Sequence, residues 1–314
     1  MFTGMVLTMT MTMTMTTEEK PVGALDGRVA VITGAGRGLG REHALLFARE
    51  GAAVVVNDLG GGPDGSGSDA GPAHEVAAEI TAAGGRAVAN SDDITDAAGA
   101  ERLIGQAVEE FGALHVLVNN AGILRDRTII NMTDGEWDDV IRVHLRGHFM
   151  PLRAAARYWR AQSKDGQELQ ASVINTTSTS GLYNNPGQSN YGAAKTGIAT
   201  LTAIAQEELG RYGVRVNAIA PAARTRLTQG LASAAEPGFD SADPANVSPF
   251  VAYLATADCP IAGRVFFVAG GGVHLFQPFA IVDAIEKNGR WTVDELAKAA
   301  AHFADVPFAL NRPY

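Results

Sequence analysis

Ser178, Tyr191 and Lys195 bring together a hydroxyl, a phenol and an ammonium, the set needed to move a proton on and off a substrate oxygen during carbonyl reduction or its reverse. Tyr191 and Lys195 stand four apart in Tyr191-Gly192-Ala193-Ala194-Lys195, a stretch that reads as helix, so both side chains fall on one face, about 5–6 Å apart at Cβ. Ser178 lies upstream, in the polar run Asn175–Ser180 that follows an apolar strand. A free tyrosine titrates near ~10 and is a poor base at neutral pH. Lowering that value by ~3 units takes ~4 kcal/mol of preference for the phenolate. One unit charge at ~4 Å supplies roughly that at an effective dielectric of ~20, so Lys195 is sufficient in principle. Taken alone, a tyrosine–lysine pair at this spacing reads as a surface ion or cation–π contact; the serine and the rest of the chain turn it toward chemistry.

The elements that must position these residues follow an alternating rhythm. From Gly27 onward, short β-branched runs alternate with helical stretches, the signature of βαβ units and a parallel sheet. Strands are expected at Val29–Thr33, Ala53–Asp58, Arg86–Asn90, Leu114–Asn119, Ser172–Thr176, Arg215–Ile219 and Arg264–Val268. Several are apolar nearly throughout, as in strands covered by helices on both faces. The expected fold is α/β, a doubly wound parallel sheet of Rossmann type. It forms a single domain over 21–273, preceded by a mobile tail over 1–20 and followed by a C-terminal helical extension over 274–314. Two segments interrupt the rhythm. The glycine-rich run from Gly60 to Ser68 reads as a loop after the second strand. The stretch Thr225 to Pro244 is a candidate substrate lid, because ligands of open parallel sheets bind beyond the carboxyl ends of the strands. In the extension, Thr292–Phe303 is periodic, with Thr292 and Glu295 spaced as a capping box.

Bulk properties narrow the function. The chain has 314 residues, 46% of them hydrophobic, and a formal charge of −9, with a pI near 5.3. That balance, with no basic run, argues against a nucleic-acid partner. Cys259 is the only cysteine, so there is no internal disulfide or cysteine-based metal site, and a reducing cytoplasm fits. Residues 1–20 alternate Met and Thr, with the first basic residue at Lys20, and do not make a convincing secretory signal. No later apolar run reaches the ~18–20 residues of a membrane span. His144 and His148 are spaced i, i+4, but no acidic or histidine partner lies close in sequence, so they read as packing or solvated histidines and no metal site is expected.

A nucleotide site is legible after the first strand. Thr33-Gly34-Ala35-Gly36-Arg37-Gly38-Leu39-Gly40 opens a helix, where glycines permit a tight turn and close backbone approach, and the helix N-terminus stabilises a pyrophosphate. Asp58 ends the second strand, where a carboxylate accepts hydrogen bonds from the adenosine ribose hydroxyls. It would also repel a 2′-phosphate, by ~4 kcal/mol at ~4 Å before screening, which favours NAD. Arg37 points the other way, because a basic residue in this turn could pair with that phosphate, and NADP is not excluded.

Taken together, the glycine-rich turn, Asn119-Asn120-Ala121-Gly122 after the fourth strand, Ser178 and Tyr191-Gly192-Ala193-Ala194-Lys195 resemble the short-chain dehydrogenase/reductase superfamily, over roughly Gly27 to Gly272. Val56-Asn57-Asp58-Leu59-Gly60-Gly61, the run from Asn119 to Arg127 and Arg142-Val143-His144-Leu145-Arg146-Gly147 are similar to the (3R)-hydroxyacyl-CoA dehydrogenase part of peroxisomal multifunctional enzyme type 2 and its bacterial relatives. The resemblance implies a general acid/base at Tyr191, a Lys195 that lowers its pKa and holds the nicotinamide ribose, and a Ser178 that orients the carbonyl. His144 stands where the superfamily has an asparagine whose backbone carbonyl anchors a proton-relay water. Gly34, Arg37, Gly38, Leu39, Gly40, Asp58, Asn120, Ala121, Gly122 and Pro221 would line the cofactor. Asp93, with Ile94 beside it, would face the adenine amino group, and Asp92 is a close rival. Pro221-Ala222 departs from the usual Pro-Gly, and Arg37 is not typical of these relatives.

The implied activity is NAD-dependent interconversion of (3R)-3-hydroxyacyl-CoA and 3-oxoacyl-CoA. A hydroxysteroid dehydrogenase or an NADP-dependent 3-oxoacyl carrier-protein reductase would use the same scaffold. A catalytically silent nucleotide-binding scaffold is the reading from another class; such proteins usually lose the tyrosine or lysine, and both are present here. The family's packing between helices implies a homodimer or homotetramer.

Overall fold

The computed structural model describes residues 23–225, 238–277 and 281–306. The expected N-terminal tail lies outside these residues, as does 226–237 of the candidate lid.

Chain order runs β1 (Val29–Thr33), α1 (Gly38–Arg49), β2 (Ala53–Asn57), α2 (Gly71–Ala82), β3 (Arg86–Asn90), α3 (Ala97–Phe111), β4 (Val116–Asn119), α4 (Asp134–Ile141) and, after a widened turn, α5 (Gly147–Lys164). It continues through β5 (Ala171–Thr176), the short α6 (Thr179–Leu182), α7 (Ser189–Leu209), β6 (Val214–Ala222), α8 (Ser248–Ala255), β7 (Val265–Ala269), β8 (Gly272–Phe276) and α9 (Val293–Ala299). The strands form one sheet in the order β3-β2-β1-β4-β5-β6-β7-β8, parallel except for β8, which pairs antiparallel with β7. Strand order reverses between β1 and β4, the switch point outside which ligands of such sheets bind.

Both faces of the sheet are covered, so successive strand residues bury on opposite sides. Ile32, Val54, Val56, Val118 and Ile174 pack with Phe47 of α1, Val76 of α2 and Leu254 of α8. Val31, Val55, Leu117, Val173 and Val216 pack with Leu103 of α3 and with Leu152 and Trp159 of α5. This double burial explains why the strands read as near-continuous apolar runs. Helix ends are set locally: Asp96 caps α3 by accepting from the Gly99 N–H at 2.8 Å, and Thr133 with Glu136 closes a capping box on α4.

The C-terminal side adds a strand and keeps the expected helix cap. The sheet has an eighth strand, β8, which crosses the expected boundary at 273, because Gly270 and Gly271 form a tight turn that sends the chain back along β7. The capping box at Thr292 and Glu295 is present on α9, yet no residue of that helix is buried.

Candidate active site

The glycine-rich turn between β1 and α1 sits against the end of β4. A Cβ on Gly40 would lie 2.2 Å from the Gly34 carbonyl and 2.6 Å from Asn120 Nδ2, so only glycine lets the first turn of α1 approach the loop this closely. Asn120 pins that loop, its Nδ2 donating to the carbonyls of Thr33 (3.2 Å) and Gly34 (3.1 Å) while its N–H donates to Thr33 Oγ1 (3.0 Å). Asp58 takes the Gly36 N–H at 2.8 Å and the Gly60 N–H at 2.7 Å, which fixes the carboxylate at the tip of β2. Arg37 is exposed beside it and forms no ion pair among the described residues. Asp93 and Asp92 both line the cleft, but Asp92 is held by Arg102 and Asn90, whereas Asp93 receives only the Thr95 N–H and a distant Arg142 at 3.9 Å. The glycine-rich run after Gly60 folds back over this region, with the Leu124 N–H donating to the Pro63 carbonyl at 3.1 Å. A glycine-rich turn that permits close approach, a helix N-terminus that accepts an anion and a carboxylate at the tip of the second strand are what a dinucleotide needs, and all three are found here.

The other wall carries Ser178, Tyr191 and Lys195. Ser178 ends the β5 segment and caps α6, its Oγ accepting the Ser180 N–H at 3.1 Å. Tyr191 and Lys195 lie one turn apart on α7, and the Lys195 Nζ sits 5.5 Å from the Tyr191 ring centroid. Lys195 is buried, and its ammonium donates to the Thr176 carbonyl at 2.5 Å. Burial lowers its pKa to about 7. Tyr191 differs from the expected picture of a lowered phenol: burial raises it above its ordinary value, the Ser178 hydrogen bond opposes that rise, and the Asp126 charge adds to it. Lys195 is not among the groups that act on the phenol, and its ammonium is turned to the Thr176 carbonyl.

His144 sits in the widened turn Arg142–Arg146, a π-type turn of the kind frequent at functional sites. Its Nε2 lies 2.7 Å from the Ile123 carbonyl and 3.1 Å from the Ile123 N–H; the shorter contact assigns the proton to Nε2. The ring stands edge-on to Tyr191 at 5.0 Å between centroids, and a Cβ on Gly122 would lie 2.3 Å from its Cε1. The side chain therefore buttresses Tyr191 and the loop after β4. Asn119 and Asn175 pair across β4 and β5 at 3.0 Å, and Asn175 Nδ2 reaches Thr202 on α7 at 3.0 Å, which ties the sheet to the catalytic helix.

These walls enclose a cleft of about 890 Å³. It brings together Ser178, Tyr191, Lys195, His144, Gly34, Arg37, Gly38, Leu39, Asp58, Asp93, Ile94, Asn120, Ala121, Gly122 and Pro221; Gly40 lies just behind, packed under the turn. The sequence reading missed Asp126 and Gln188, which line the cleft and are joined by a 2.7 Å bond from Gln188 Nε2 to the carboxylate whose charge acts on Tyr191. It also missed the Thr176 carbonyl, for which no side-chain signal exists. Among the described residues no group of His, Cys, Asp or Glu could hold a metal ion, and no helix is long and apolar enough to cross a membrane.

Residues 28–236 match the short chain dehydrogenase family. The chain belongs to that family. It is an oxidoreductase of a family that binds NAD(P). It is 47% identical over 261 residues to hydroxyacyl-CoA dehydrogenase ChsB1 of Mycobacterium tuberculosis, covering 81% of each chain. It is 44% identical over 246 residues to peroxisomal multifunctional enzyme type 2 of Drosophila melanogaster, covering 78% of this chain but 39% of that longer protein. The crystal structure of a short chain dehydrogenase from Mycobacterium avium superposes with a TM-score of 0.82 at 50% identity, covering 90% of this chain and 96% of the other.

Proposed function

We propose that this protein is an NAD-dependent dehydrogenase that interconverts (3R)-3-hydroxyacyl-CoA and 3-oxoacyl-CoA, with Tyr191 as the acid/base. The observation that carries the reading is the convergence of Ser178, Tyr191 and Lys195 on one side of a cleft whose other side is the glycine-rich turn and Asp58. Ser178 orients the substrate oxygen, and the Tyr191 oxygen exchanges a proton with it. Lys195 lies beneath, anchored on Thr176, and holds the nicotinamide ribose. The nicotinamide, when bound, supplies the hydride chemistry. Asp58, with no cation among its hydrogen-bond partners, favours NAD by accepting from ribose hydroxyls and repelling a 2′-phosphate. The acyl-CoA class follows the names of the dehydrogenase relatives. Exposed Phe149 on α5 and Ile204 on α7 support a homodimer or homotetramer.

Initial rates with NAD and with NADP, against (3R)- and (3S)-3-hydroxyacyl-CoA esters and steroid alcohols, test this directly. The expected outcome is the highest kcat/KM with NAD and a (3R) ester, from a preparation that scatters light as a dimer or tetramer. A preference for a steroid alcohol or for NADP would replace the reading with one of its competitors.

A further inference from the structure

Behind Lys195 lies a set of buried polar atoms that the chemistry of Tyr191 does not use. Both ring nitrogens of His148, Nδ1 of His144, Oδ1 of Asn119 and Oγ1 of Thr176 have no hydrogen-bond partner within the protein. His148 is fully buried on α5, one turn beyond His144. The carbonyls of His144 and Thr176 face its ring, outside hydrogen-bonding geometry to either nitrogen, and the Lys195 charge acts on it. The Thr176 carbonyl is the same oxygen that Lys195 holds, so imidazole and ammonium converge on one atom. A leucine would fill this volume with no polar group to satisfy, whereas a buried polar group goes unpaired at a cost. A polar space with several such atoms is the setting in which buried water is retained.

We propose that His148 is a positioning residue of the acid/base system: its otherwise unpartnered imidazole, through a buried water, accepts a hydrogen bond from Lys195 and holds the ammonium in place. The inference rests on the Tyr191 reading above. The imidazole is suited to accept, because burial first and then the charges of Lys195 and His144 favour its neutral form and outweigh the opposing His144 and Thr176 carbonyls. Lys195 from α7 and His144 from the widened turn are the titratable groups that act on it; β4 and β5 bring only the neutral Asn119, Asn175 and Thr176. A neutral acceptor next to Lys195 favours its charged form and so opposes the effect of burial on that lysine.

The test is the pH profile of kcat with NAD and a (3R)-3-hydroxyacyl-CoA for His148→Leu and His148→Gln. In His148→Leu the alkaline limb moves to lower pH by about one unit, which lowers kcat about fivefold at the original midpoint. The amide of His148→Gln restores the limb without titrating itself. A His148→Leu profile that superimposes on the unmodified enzyme overturns the proposal, and so does equal behaviour of the two variants. If His148→Leu does not fold, His148→Met, unbranched and without a nitrogen acceptor, is read by the same outcomes. Tyr191→Phe run alongside separates the two readings: an active Tyr191→Phe removes the acid/base assignment itself, whereas an inactive one with an unshifted His148→Leu removes only the role of His148.

Discussion

The two halves of the sheet share one architecture and differ in what they bury. Along β1 and β2 the buried strand residues are Val, Ile and Ala, from Val29 to Ile32 and from Ala53 to Val56. The polar Thr33, Asn57 and Asp58 come at the strand tips, with His43 of α1 the buried polar side chain that pairs with Ser248. Around β4, β5 and α7 the interior holds Asn119, Ser172, Asn175, Thr176, His144, His148 and Lys195, all buried. The first half offers a ligand mostly backbone at a helix end, and apolar strands suffice to present it. The second half must hold an ammonium and a phenol at fixed positions in a low-dielectric interior. A paired polar network does that with more directionality than packing alone, at the risk that any broken link leaves a buried group unsatisfied.

The largest break in this contrast comes from Tyr191→Phe. It removes one oxygen from the polar half and leaves the nucleotide half untouched. Loss of a positioned acid/base costs about 10²–10⁴-fold in rate. The expected result is that fall in kcat with cofactor affinity unchanged, read by steady-state rates and by titration of nicotinamide fluorescence. Weakened cofactor binding of the same size would mean that the two halves are not separable.

Lys195 sharpens the comparison through stability. Its pKa in the folded protein is about 7, below its ordinary value of 10.5. Between those values the unfolded chain binds a proton that the folded chain does not, so the stability contributed at this site rises with pH across the window and is smallest below about 7. Lys195→Met removes the titration. Chemical denaturation from about pH 7 to about pH 9 is expected to show unfolding free energy rising in the parent protein and less steeply in the variant. Parallel curves would show that the folded protein keeps this lysine at its ordinary pKa.

Much of this was legible in the sequence because the apolar half signals itself by pattern. The seven parallel strands were placed to within a few residues by β-branched runs, and Asp58, Ser178, Tyr191 and Lys195 were placed by spacing and by motif order. The eighth strand was not, since Gly270-Gly271-Gly272 reads as an end and only four strand residues of mixed polarity follow, Val273 to Phe276. The raised phenol of Tyr191 was hidden for a different reason. Its environment is set by where Lys195 points, and that is decided by the Thr176 main-chain carbonyl, which any residue type would supply. Likewise Asp126 becomes a neighbour of Tyr191 only once the loop after β4 is bound to Gln188, 62 residues further along the chain.

The smallest expected effect belongs to the apolar half. Ile32 is fully buried at the centre of β1, between Val56 on one side and Val118 on the other. Ile32→Val deletes one methyl from the apolar face packed against α1 and α8, two helices joined to each other by the His43–Ser248 hydrogen bond at 2.8 Å. Such a cut costs about 0.5–1.5 kcal/mol. Denaturant melts should register that loss while kcat and the affinity for NAD stay at the parent values. If kcat instead fell as it does in Tyr191→Phe, shape in the β1 core would be reaching the chemistry through the switch point. The polar network would then no longer be what fixes the catalytic wall.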